Sequence, residues 1–174
     1  MIEHIESPSI NGLQGYLQCI KRLCANGYVF GAVSYKANSD IDEFISGLVR
    51  YWSEGDDVVE PSNFEYCGKE LISYELLLSK IEGFIFNGIL DRRNMPNDNA
   101  RQYTTKMLTE DINEYYGLLS VELNNEGVFH PLISNDVYLL NIRNEIYSQS
   151  FYYIVKIENV FVVTHFSQRA NCTV

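Results

Sequence analysis

Apolar positions along the chain fall into two spacings. Over residues 12–25, Leu13, Tyr16, Leu17, Ile20, Leu23 and Cys24 recur on a helical period, and Asn26-Gly27 supplies a stop. Tyr28–Lys36 is a run of aromatic and β-branched residues and predicts a strand. The clearest helix covers residues 40–53, where Ile41, Phe44, Ile45, Leu48, Val49 and Trp52 form one stripe. Ser39 is its expected cap, and Asp40, Asp42 and Glu43 suit the positive end of the helix dipole. The loop that follows, through Pro61 to Tyr66, is acidic and expected to be exposed. Residues 73–86 predict another helix, capped by Ser73, although 83–90 also fits a buried strand. Residues 91–101 read as a polar surface loop. Thr109 is then the expected cap of a helix reaching about Gly117.

The spacing changes after that point. Residues 118–123 and 128–133 flank Asn124-Asn125-Glu126-Gly127, a plausible hairpin, and 137–142 predict a further strand. Residues 151–157 and 160–166 flank Glu158-Asn159 and form the strongest hairpin signal in the chain. With helices early and strands late, the fold class is α+β: a helical N-terminal part packed on a mainly antiparallel C-terminal sheet. A length of 174 residues fits a single domain, and 46% apolar content supports a packed core. The 13 tyrosines suggest an aromatic core with wet edges, or a binding face.

Charge sharpens this picture. The formal net charge is -10, which disfavours nucleic acid and anionic membrane and favours basic partners. Between Asp40 and Glu82 there are eleven acids against Arg50, Lys69 and Lys80, so this segment carries -8 of that total. The expected contact residues are therefore Asp42, Glu43, Glu54, Asp56, Asp57, Glu60 and Glu65, with Tyr51 and Tyr66 as aromatic anchors. Trp52 continues the helix stripe and belongs to the core. Asp40 and Asp42 already serve a helix start, which makes them weaker contact residues than Asp56, Asp57 and Glu60.

Candidate chemistry is sparse. The glycines form neither a dinucleotide nor a P-loop pattern. Cys19, Cys24, Cys67 and Cys172 lack metal-site spacing and read as free, mostly buried thiols, so neither metal nor cofactor is expected. His4 falls in an expected frayed terminus, leaving His130 and His165 as candidates for an enzyme. The first residues lack a signal-peptide pattern, and the apolar runs 28–35 and 83–90 are too short to span a bilayer, so a cytoplasmic protein is expected.

In size, acidity, tyrosine content and its asymmetric acid stretch, the chain resembles the immunity proteins that bacteria encode beside polymorphic toxins, including those of contact-dependent growth inhibition. The resemblance implies a cytoplasmic, non-catalytic inhibitor that binds a cognate toxin domain, often a basic nuclease. The alternatives are a nucleic-acid mimic that blocks a defence nuclease, and an enzyme using His130 and His165. On the leading reading, reversing Asp56 and Asp57 to lysine is expected to slow association with the partner and reduce its salt dependence. An unchanged on-rate in stopped-flow mixing would remove this loop from the interface.

Overall fold

The computed structural model describes residues 2–54, 64–92, 97–123 and 136–170. Along them run β1 (Glu3–Ile5), α1 (Pro8–Lys21), β2 (Tyr28–Lys36), α2 (Ile41–Glu54), β3 (Phe64–Ile72), α3 (Tyr74–Arg92), α4 (Asp98–Leu123), β4 (Val137–Asn144), β5 (Tyr147–Ile157) and β6 (Val160–Arg169). The strands form one sheet in the order β1-β2-β6-β5-β4-β3, and every neighbouring pair is antiparallel. The fold is α+β. The sheet also draws β1, β2 and β3 from the N-terminal half.

Successive strand residues point to opposite faces, and this alternation decides where the helices go. Phe30, Tyr153, Val162 and Phe166 face a core built with α1, α3 and α4. Tyr35, Ile154, Phe161 and Val163 face a smaller core under α2. The sheet is thus the middle of three layers. The apolar stripe of α2 lies on the sheet as its spacing predicts, with Phe44 stacked on Phe161 at 4.0 Å between ring centroids. Its cap is Asp40 rather than Ser39, because Asp40 Oδ1 accepts the Glu43 amide at 2.9 Å.

Several boundaries differ from the sequence expectation. α1 starts earlier, at Pro8, because Ser7 Oγ accepts the Ile10 amide at 3.2 Å, and it ends at Lys21. Ser73 caps α3 as expected, but the helix continues to Arg92, so 83–90 is helical. Asn97 then caps α4 through the Ala100 amide at 2.8 Å, so the helix begins inside the expected loop. Thr109 is no cap; its hydroxyl donates to the Thr105 carbonyl one turn back at 2.9 Å. Residues 118–123 end this helix and are not a strand, and residues 124–135 lie outside the described residues.

β3 appears where an exposed loop through Tyr66 is expected. A bulge between Tyr66 and Gly68, with Gly68 at φ 133°, breaks its alternation and hides it from pattern reading. The β5–β6 hairpin is confirmed, with Glu158 at φ 53° in its tight turn. It lies inside the sheet, between β2 and β4, so neither of its strands is an edge strand open to a partner's strand. β1 covers only the end of β2. Gln14 and Gln18 of α1 occupy the rest of that edge, accepting from the Ala32 amide at 2.6 Å and donating to the Phe30 carbonyl at 2.8 Å.

Phe44→Ala is expected to lower stability by about 3–5 kcal/mol, because it empties a fully enclosed ring site. The check is the urea midpoint at unchanged slope; a loss under about 1 kcal/mol would show that this stack does not hold α2.

Candidate functional site

Burying the stripe of α2 turns Asp42, Glu43, Ser46, Arg50 and Tyr51 outward. The helix separates these residues into two flanks. On the flank toward β3, Asp42 Oδ1 meets Lys69 Nζ at 2.8 Å, and the same ammonium lies 5.1 Å over the Tyr138 ring. The hydrogen bond to Asp42 raises the Lys69 pKa above its ordinary value. Tyr66 packs half-buried against the α2 core, and burial pushes its hydroxyl pKa up. Glu65 lies further along β3, exposed, with its carboxylate 3.1 Å from Arg143. Water screens both pairs, so they contribute little to the stability of the fold.

The other flank is concave. Glu43, Ser46, Arg50 and Tyr51 line a groove of about 740 Å³ that Ile2 closes from the β1 side. Gly47 lets Ile2, just before β1, approach, since a Cβ there would sit 2.8 Å from Ile2 Cδ1. Tyr51 is 44% exposed and leans edge-on against Tyr35, which fixes its ring while leaving one face open. The structure therefore brings Glu43 and Tyr51 into one groove and sets Asp42 and Tyr66 on the opposite flank. Trp52 is buried in the core as expected. Glu54 is the last residue of α2, and Asp56, Asp57 and Glu60 lie outside the described residues.

The histidines sit in packed surroundings. His165 lies across Gly31, where a Cβ would be 2.5 Å from its Cε1, and stacks on Tyr152 at 5.6 Å. Burial lowers its pKa to about 4, so the ring is neutral at pH 7. His4 belongs to β1 and packs edge-on against Tyr35 at 5.9 Å, so this end of the chain is paired rather than frayed. His130 lies outside the described residues. Cys24 is buried, and its thiol is pushed up to about 12 by burial. Cys19 and Cys67 are exposed, which corrects the expectation of mostly buried thiols.

One charged feature escaped the sequence reading. Lys21, Arg22 and Arg92 line a cavity of about 630 Å³ at the C-terminal ends of α1 and α3. Cations there offset the negative ends of both helix dipoles, and basic residues in the last turns were the available signal. Among the described residues there is no group of three or more His, Cys, Asp or Glu side chains able to hold a metal ion, and no helix is long and apolar enough to cross a membrane.

No family model and no curated protein matches the chain. Among solved structures it is similar to the crystal structure of citrus MAF1, with a TM-score of 0.44 and 11% identity over 94% of this chain and 99% of that one. A likeness at that level carries no functional argument.

The state of His165 makes stability depend on pH. The unfolded imidazole takes a proton near about 6.5, whereas the folded one does so at about 4. Between those values only the unfolded state binds the extra proton, so stability falls as pH drops through this window and is unaffected by this group above it. His165→Gln is expected to flatten the curve there by about one proton. Urea melts at several pH values give the slope, and an unaltered slope would show that the folded imidazole titrates normally.

Proposed function

We propose that the chain is a stoichiometric inhibitor of the immunity-protein kind, which binds a cognate, basic toxin domain in the cytoplasm and blocks it. The observation that carries this reading is the groove along α2, with Glu43 near one end and the exposed ring of Tyr51 near the other. Eight helical residues separate them by about 12 Å, a span suited to one basic side chain and one neighbouring apolar contact. The Glu43 carboxylate attracts a basic side chain to its end of the groove, with Arg50 excluding one from the other end, while a held aromatic ring supplies contact area and slows dissociation. The net charge of -10 supports the same direction of steering.

Asp56, Asp57 and Glu60 follow α2 directly in sequence and stay within the proposed contact set. A mimic of nucleic acid would need free carboxylates spaced over a long surface. Asp42 and Glu65 are instead each tied to a cation, which favours a local interface over an extended phosphate surrogate.

The test is co-expression with the product of any toxin-like open reading frame found beside the gene of this chain, followed by binding kinetics. Glu43→Lys is expected to lower the on-rate and its salt dependence, and Tyr51→Ala to raise the off-rate about tenfold, equivalent to about 1.4 kcal/mol. Wild-type kinetics in both variants would move the interface away from α2. Absence of any complex with that product would overturn the inhibitor reading.

A further inference from the structure

Helix α4 is packed on three sides and open on the fourth. Ile112, Tyr116 and Leu119 enter the core, and the Tyr16 hydroxyl bonds to Asp111 to tie α1 alongside. On the open side Tyr103, Met107, Glu110, Glu114, Leu118 and Val121 follow one another at steps of three and four residues. At about 100° per residue they stay within one stripe, and at about 1.5 Å per residue the stripe is about 27 Å long. Its apolar members are 68%, 46%, 47% and 38% exposed in chain order, and both glutamates are exposed. Beside Tyr103 the stripe opens into a groove of about 580 Å³ between α3 and α4, lined by Phe86 and Glu82. Gly83 leaves room there, since a Cβ would meet nothing within 4 Å.

Single exposed apolar residues are ordinary, but here two apolar pairs, the first of them beside a groove, stand at the two ends of one helical stripe. Its middle is acidic. Glu110 and Glu114 are one turn apart and repel each other. Lys106 reaches Glu110 at 3.9 Å, while Glu114 makes no ion pair among the described residues. A cation seated between the two apolar ends would relieve that repulsion.

We propose that the outer face of α4 docks an amphipathic helix of a partner protein, about five turns long, with apolar residues at both ends and Lys or Arg between them. A second copy fits poorly. An antiparallel pairing that set Tyr103 against Val121 and Met107 against Leu118 would also set Glu110 against Glu114. An anionic bilayer meets the same repulsion. This face lies across the sheet from α2, so the proposal is independent of the inhibitor reading.

The probes are two synthetic helical peptides with the same leucine positions, one carrying lysines at its centre and the other glutamates, titrated into the ¹⁵N-labelled full chain. The lysine peptide is expected to shift amides of residues 103–121 and not those of α2, and the glutamate peptide to bind at least tenfold more weakly. The double variant Glu110→Lys/Glu114→Lys should reverse that preference. Met107→Ala/Leu118→Ala should weaken the lysine peptide at least tenfold, with a melting curve confirming the fold. Equal binding of both peptides, no binding of the lysine peptide, or shifts outside α4 and its groove would overturn the proposal. So would concentration-dependent self-association lost in Met107→Ala/Leu118→Ala, or stronger binding to phosphatidylglycerol vesicles than to the lysine peptide.

Discussion

Strand β6 is apolar toward both faces of the sheet, and that constraint organises the rest of the molecule. From Val160 through Ser167 every residue except His165 is buried. An antiparallel sheet commonly leaves one face to water, but a central strand of this composition does not allow it. Phe161 and Val163 need a cover on one side, and Val162 and Phe166 need one on the other. α2 supplies the first, while α1, α3 and α4 supply the second. Two of the polar residues in this stretch are held by neighbours: Thr164 bonds to the Tyr116 hydroxyl, and His165 lies on Tyr152.

Covering the small face with a single helix has a consequence for charge. The stripe from Ile41 to Trp52 commits about half of the α2 surface to the core, so Asp42 and Glu43 can only face outward. Acids then gather where β2 ends and α2 starts. Lys21, Arg22 and Arg92 gather where β2 begins, drawn to the C-terminal ends of two helices. Helix polarity thus places Asp40, Asp42 and Glu43 at the N-terminal end of α2 and three cations at the C-terminal ends of α1 and α3.

The legible parts of the fold were those whose pattern matched their burial. β2 reads directly because its residues are apolar on both faces, and the stripe of α2 reads because its other face is polar. The β5–β6 hairpin reads from two β-branched runs around a two-residue turn. The apolar period of α4 is interrupted in the sequence because Thr105 and Thr109 sit buried on its core face, bonding back to their own helix. β3 was missed because an edge strand carries charges such as Glu65, Lys69 and Glu70, and its bulge shifts the alternation. For the candidate site, exposure at Asp42, Glu43 and Tyr51 followed from helix phase. The pairing of Asp42 with Lys69, and of Glu65 with Arg143, required strands that are distant in sequence. The stripe on α4 is hidden in the sequence because residues 118–123 also fit a strand pattern.

The placement of tyrosine links fold to function. Tyr35, Tyr116, Tyr152 and Tyr153 are buried, and burial raises the pKa of each. These rings build a stiff interior rather than reactive groups. Tyr51 and Tyr103 stand outside on the two helix layers, each lining a concave surface that also holds a glutamate, Glu43 in one and Glu82 in the other. A ring mounted on a packed helix loses little freedom when a partner covers it, so more of its contact energy remains as affinity. The same three-layer packing that β6 requires therefore holds exposed aromatic and acidic groups at fixed spacing on both sides of the sheet. Both proposed contact surfaces rest on that arrangement.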